Sequence, residues 1–467
     1  MKNTLHSIRI KYFGDKAFYK MIMAIALPII VQSLLTNFVN LLDNVMVGQL
    51  GTDQMTGVAV VNQLFFVFNL AVFGGMSGAG IFSAQYFGQD NHEGVRNVFR
   101  IKFIIAIILT VLSLSIFIFL HEPLINMFLH EGSQSGNVQA TYEYAKTYLF
   151  IMLIGVPPFI ISNCYNTTLK EAGQTVIPMI AGIMAVIVDL VFNYLLIFGK
   201  FGFPELGVAG AAIATGMSRY IECGFLVIYT HLHSEKYKFI KGVYRSMKVP
   251  VSLVKKVIIN GSPILLNEIL WSAGLTMQTQ ALSTRGLAAI GAMNINNTVS
   301  NVFNIVFVTM GTTISIVIGQ LLGAGKLEEA KDTDRKMCVF SVLTAMGVSI
   351  ILLILAPLFP HLYNTTAEIR NLATKFIMVL ALVTPFNAFT NAAYFTLRSG
   401  GNTIITFLFD SCFIWVVNVP VSMILAHFTT IPVIYIFLIV NSLETLKAFI
   451  GYGLVKKDIW LNTIVEH

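Results

Sequence analysis

Charge is what this chain has least of. Only 11% of its 467 residues are Asp, Glu, Lys or Arg, less than half of the roughly 25% typical of soluble globular domains. Apolar residues make up 56%, so a water-soluble globule is excluded. Cysteine is scarce too: Cys164, Cys223, Cys338 and Cys412 stand singly. Neither a disulfide framework nor a metal-ligand cluster is expected, and all four are assigned to packing. Enzyme motifs are lacking. The run from Gly319 to Ala330, GQLLGAGKLEEA, has the wrong spacing for a phosphate loop, and Lys326 is followed by Leu327 where Ser or Thr is required. No ATPase, no other enzyme and no bound cofactor is expected. His231 and His233 have no Cys or carboxylate companions at metal spacing and are assigned to a solvated linker. The basic start of the chain leads into an apolar run without a small-residue cleavage site, which favours a retained first helix over a signal peptide.

What the chain does have is long stretches free of charge: Met21 to Leu42, Gln54 to Gln89, Phe103 to Leu120, Thr147 to Leu169, Gly286 to Gly325, Met337 to Ala367 and Phe376 to Leu397. About 20 apolar residues cross a bilayer as a helix, whereas barrel strands would alternate. Other stretches carry a lone charge or a pair: Ala172 to Gly199 holds Asp189, Leu206 to Ser234 holds Arg219 and Glu222, Val257 to Thr284 holds Glu268, and Ser399 to Leu443 holds Asp410. The last is long enough for two spans broken near His427 to Pro432. The fold class is therefore an all-α membrane protein with twelve transmembrane helices.

The basic residues follow that topology. Lys2, Arg9, Lys11, Lys16 and Lys20, then Arg96, Arg100 and Lys102, then the segment from Lys236 to Lys256, then Lys326 to Lys336, and finally Lys456 and Lys457 fall on one side, with few on the other. The positive-inside rule places both termini in the cytoplasm of a cell membrane. The net charge of +7 faces anionic lipid, not nucleic acid.

The chain also repeats itself. At one constant offset Pro28 falls on Pro263, Gly51 on Gly286, Asn62 on Asn297, Gln85 on Gln320 and Gly88 on Gly323. At a slightly smaller one Pro157 falls on Pro385, Asn163 on Asn391 and Thr168-Leu169-Lys170 on Thr396-Leu397-Arg398. The domains read from this are residues 1–235, a basic linker 236–250, and residues 251–467, two pseudo-symmetric six-helix bundles. Six spans per copy is even, so the repeats run parallel. Transporters built this way hold substrate between the halves and alternate access by rocking them. An ion channel, which more often gathers identical subunits, is the weaker alternative.

Polar residues inside spans are costly and mark candidates. The second span of each half carries a stripe at three- and four-residue spacing: Asn62 and Asn69 around Phe66, and Asn294, Asn297, Asn301 and Asn304. Cavity lining and interhelical hydrogen bonds fit these equally. In the first half Asp43, Asp189, Asn193 one turn later, and Thr215 offer oxygens that would hold Na⁺ or share a proton. In the second half Glu268, one turn before Trp271, and Asp410 suit an organic cation at a carboxylate beside an aromatic face. The spacing of Arg219 and Glu222 favours an ion pair within the sixth span.

Several segments, taken in order, resemble the multidrug and toxic compound extrusion (MATE) family: IALPIIVQSLLTNFVNLLDNVMVGQLG from Ile25, NYLLIFGKFGFPELGVAGAAIAT from Asn193, GSPILLNEILWSAG from Gly261 and IGQLLGAGKLEEAK from Ile318. The resemblance implies two six-helix bundles arranged in a V, exporting mostly cationic amphiphiles in exchange for Na⁺ or H⁺. It matches Asp43 to the family's first-helix Asp and Thr215 to its sixth-helix Thr. It likens Glu268 to a carboxylate implicated in cation binding or coupling. Where many members place Asn and then Asp four residues on, this chain has Asp189 and then Asn193, so the carboxylate has moved one turn. The partners implied are small organic cations and the lipid bilayer, with the protein acting as a monomer. A flippase for lipid-linked sugars, from the same superfamily, is the main rival. It would need cationic residues in the cavity, and the second half offers Glu268 and asparagines.

Overall fold

The computed structural model describes residues 11–129, 137–363 and 365–465. Among them every regular element is a helix, as the apolar runs require: α1 Lys16–Gly48, α2 Thr52–Gly88, α3 His92–Phe119, α4 His121–Asn126, α5 Val138–Ile154, α6 Val156–Glu171, α7 Val176–Phe198 and α8 Val208–Leu232, followed by α9 Val251–Ser283, α10 Leu287–Gly323, α11 Leu327–Leu355, α12 Ala367–Ser399, α13 Thr403–Phe428 and α14 Val433–Lys456.

Ten of these are long and apolar enough to cross a bilayer, and the pair α5 and α6, bent by 49° around Gly155, makes an eleventh. Pro157 and Pro158 at the start of α6 account for the break, because neither donates a backbone hydrogen bond. The seventh of the twelve expected spans, α9, is long enough at 33 residues but is not among those that meet the same standard of apolarity. Lys255, Lys256, Asn260, Asn267, Glu268 and Gln278 dilute it. The break expected between His427 and Pro432 is present, with α13 ending at Phe428 and α14 starting at Val433. The last helix runs on past Leu443, which brings Glu444 and Lys447 inside it.

Two compact units emerge. One comprises Leu27–Ser83 and Asn91–Val257; the other, the described parts of Met1–Ala26, Ala84–Asp90 and Ile258–His467. In the first, Lys102 is not the loop residue its sequence neighbours indicate. It is fully buried in α3, and its ammonium donates to Glu171 Oε2 at 2.6 Å and to the hydroxyls of Thr167 and Thr168 at 3.2 Å. A buried ammonium needs such a full set of acceptors. The segment after α8 is likewise docked. Arg96 donates to the carbonyls of Lys238 and Phe239, Arg100 to those of Gly242 and Val243, and Tyr237, Phe239, Ile240 and Val243 are buried. His231 is not simply solvated, since Tyr165 Oη lies 3.3 Å from its Nε2; His233 is exposed.

In the second unit the ends of α2 and α10 cross at backbone contact. A Cβ on Gly88 would collide with the Gln320 carbonyl, and one on Gly323 with that of Gln85, which is why glycine occupies both repeat-related positions. The C-terminal segment closes over this crossing. Gln85 accepts from Ile464 N–H at 2.8 Å and donates to the carbonyls of Ser399 at 3.0 Å and Asn462 at 3.2 Å. Trp460 is 1% exposed within an apolar cluster that includes Ile22, Met310, Ile318 and Leu397. A second cluster of this unit centres on the stacked Phe376 and Phe437 rings, 4.3 Å apart.

Candidate functional site

Three helices bring the first-half carboxylates together. Gly182 lets α7 approach α1 closely, since a Cβ there would meet the Gln32 side chain at 2.8 Å. Further along the same two helices, Asn193 Nδ2 donates to Asp43 Oδ1 at 2.7 Å. Asp189, one turn before Asn193 on the same face, is 7% exposed and Asn193 is fully buried. Thr215 of α8 keeps its hydroxyl proton on the Ala211 carbonyl at 3.1 Å, leaving oxygen lone pairs for the site. Asp43, Asp189, Asn193 and Thr215, chosen from sequence on type and depth, thus line one cavity of about 380 Å³. Its remaining wall comes from α2, α5 and α6, including Phe66, Tyr148, Met152 and Phe159, and both first-half stripe residues Asn62 and Asn69 face into it.

The cavity also contains what the sequence assigned to an ordinary ion pair. Arg219 and Glu222 line it, and their nearest approach, Nη1 to Oε2, is 3.5 Å. That is a loose contact beside the 2.7–2.9 Å of a strong charge-assisted hydrogen bond.

Two oxygens stand out chemically. Asp189 Oδ1 and Asn193 Oδ1 are buried without a hydrogen-bond partner among the described residues. A buried acceptor left without a donor costs about 1–3 kcal/mol. These atoms are thus poised to take a proton or a small hard cation, whose ligands are oxygens. Among the described residues there is no cluster of three or more His, Cys, Asp or Glu arranged to hold a metal ion.

The second-half residues make a different arrangement. Tyr394 Oη donates to Glu268 Oε1 at 3.1 Å, and Asn267 Nδ2 donates to Asp410 Oδ2 at 3.0 Å. Asp410 sits in a π-helical turn, Leu408–Cys412, followed by another at Ile414–Asn418; such turns shift side chains around a helix and recur at functional positions. The turn is fixed by Asn267, which accepts from Ser411 N–H at 3.2 Å and from its hydroxyl at 2.7 Å. The remaining Asp410 oxygen accepts from Lys447 Nζ at 2.6 Å. Lys447, which the sequence reading passed over, thereby neutralises Asp410. Trp271 is partly exposed on α9, and Asn297 and Asn301 are exposed on α10; among the described residues none of the three shares a hydrogen bond with this cluster. The signal for Lys447 was an ammonium inside an apolar run, three residues after Glu444.

Comparison with known proteins adds to this geometry. The MatE family model matches residues 28–195 and 263–424. The probable multidrug resistance protein NorM of Thermotoga maritima is 26% identical over 411 residues, which is 88% of this chain and 86% of that protein. The probable multidrug resistance protein YoeA of Bacillus subtilis is 25% identical over 436 residues, 91% and 88% of the two chains. Among solved structures, the MATE transporter VcmN of Vibrio cholerae superposes with a TM-score of 0.84 at 15% identity, over 95% of this chain and 97% of that one. At that identity the superposition speaks for the fold alone.

Proposed function

The chain belongs to the MatE family of membrane transporters, and from that premise we propose that it is a cation-coupled antiporter, driven by Na⁺ or H⁺, that exports organic cations by alternating access. It acts as a monomer in the cell membrane with both termini in the cytoplasm. The observation that carries the reading is the Asp43, Asp189 and Asn193 group on the wall of the first-half cavity, with two buried acceptor oxygens that no donor among the described residues satisfies.

The chemistry follows from charge. A cationic cargo and a small cation both lower the cost of keeping those carboxylates ionised away from bulk water. Each therefore weakens the binding of the other. Entry of Na⁺ or H⁺ at Asp189 and Asn193 removes the negative potential that holds the cargo, and the cargo leaves. One charge moving down 100 mV supplies about 2.3 kcal/mol, enough to concentrate a neutral cargo about fiftyfold before any chemical gradient is added. The names of the relatives speak for drugs as cargo.

Purified protein in liposomes tests this, with a pH gradient and a Na⁺ gradient imposed separately and ethidium followed by fluorescence. One gradient is expected to drive ethidium across against its concentration. Movement that ignores both gradients would show the antiporter reading to be wrong.

A further inference from the structure

Arg219 is the one cationic side chain on the cavity wall among the described residues, and the cycle above leaves it without a task. It shares the cavity wall with Asp43 and Asp189, its side chain is 33% exposed, and its guanidinium lies over the Phe159 ring at 4.8 Å. Among the described residues it donates no hydrogen bond, and Glu222 is its one ion-pair partner, at 3.5 Å. A guanidinium carries five N–H donors in a planar fork that fits a carboxylate in two places at once. Here the fork lies against an aromatic ring and, among the described residues, donates no hydrogen bond.

A structural ion pair is the ordinary account of an Arg and a Glu three apart, and the repeat supplies a control for it. The offset that puts Pro157 on Pro385 and Thr168 on Thr396 puts Arg219 on Lys447, a cation on a cation. In that copy the cation is sealed. Lys447 is 4% exposed, bonded to Asp410 at 2.6 Å, with Glu444 at 4.0 Å and the Phe409 ring at 5.5 Å. Arg219 is eight times as exposed and, among the described residues, holds only the loose contact with Glu222, where a purely structural pair would be closed.

We propose that Arg219 binds a carboxylate of the cargo, so that the cavity selects zwitterionic amphiphiles, molecules with a cationic end and a carboxylate, over the same molecules esterified. The inference rests on the cavity being the cargo site of the proposed antiporter. Three carboxylates, Asp43, Asp189 and Glu222, face the single guanidinium. Their balance still demands a positive end on the cargo and disfavours a polyanion. Phe66, Phe159 and Met152 supply the apolar wall for the body between the charges.

Rhodamine 110, which has a free carboxylate, and its methyl ester rhodamine 123 form a matched pair. Their affinities for the purified protein are measured by fluorescence anisotropy. The acid is expected to bind about tenfold or more tighter than the ester, the worth of a charged hydrogen bond. Arg219→Gln is expected to weaken the acid far more than the ester and so erase the ratio, and Arg219→Lys to keep part of it. Ester binding by the variants reports that they remain folded. A wild-type ratio near one, equal losses for both dyes in Arg219→Gln, or binding of neither dye would overturn the proposal. Acid selectivity that persists in protein showing no gradient-driven ethidium movement would instead sink the antiporter reading and leave the carboxylate site standing.

Discussion

Asp189→Asn is expected to uncouple transport from the ion gradient and to hold the affinity for ethidium at the weak value of the ion-loaded state. The substitution keeps the size of the side chain and its place on α7, and it removes the one property the cycle needs there, a charge that a proton or Na⁺ can cancel. Coupling between two ligands of one protein is typically 1–3 kcal/mol, or about 5- to 150-fold in affinity. Gradient-driven ethidium uptake should fall by a factor in that range, and the affinity for ethidium should no longer change with pH or Na⁺. Asp43→Asn is a second route to the same result, and its amide oxygen can still accept from Asn193 Nδ2, which lies at 2.7 Å from the carboxylate. Ion-driven uptake at the wild-type rate in both variants would remove these carboxylates from the mechanism.

Lys447→Met is expected to destabilise the protein more than any substitution on its surface. The ammonium is sealed against Asp410, and removing one partner of a buried pair leaves an uncompensated charge at a cost of about 3–5 kcal/mol. The double variant Lys447→Met with Asp410→Asn should recover most of that loss, because replacing both partners removes the charge along with its partner. Thermal unfolding in detergent reads both: a large fall in Tm for the single variant and a smaller one for the double. A single variant that melts with the wild type would mean that Asp410 carries no buried charge.

The helices and the shared cavity of the first-half polar residues were legible because each rests on a strong local signal. An apolar run of bilayer length has few alternatives to a helix, and Asp43, Asp189, Asn193 and Thr215 are conspicuous in such surroundings. What the sequence did not display was partnership across long separations. Asp410 looks like a free intramembrane carboxylate until Lys447, far along the chain, is seen beside it. Lys102 looks like a loop residue until Glu171 and two threonines surround it. The π-helical turns around Asp410 leave no mark in the residue pattern that a 3.6-residue period would expose. Helix α9 was counted as a span from its length, yet its polar residues make it the least lipid-like of the twelve. The exposure of Arg219 was invisible for a different reason: its spacing from Glu222 matches a closed pair, and only packing shows that the pair is slack.

The three tryptophans of the chain stand in contrasting surroundings, and this gives the protein a built-in optical reporter. Trp460, within the C-terminal segment that covers the crossing of α2 and α10, is almost completely enclosed, whereas Trp271 and Trp415 are partly open. Indole emission shifts toward blue in dry surroundings and toward red in wet ones. With Trp271 and Trp415 replaced by phenylalanine, the colour of the remaining signal would follow the seating of residues 459–465 in real time, with no attached dye to disturb the crossing they cover.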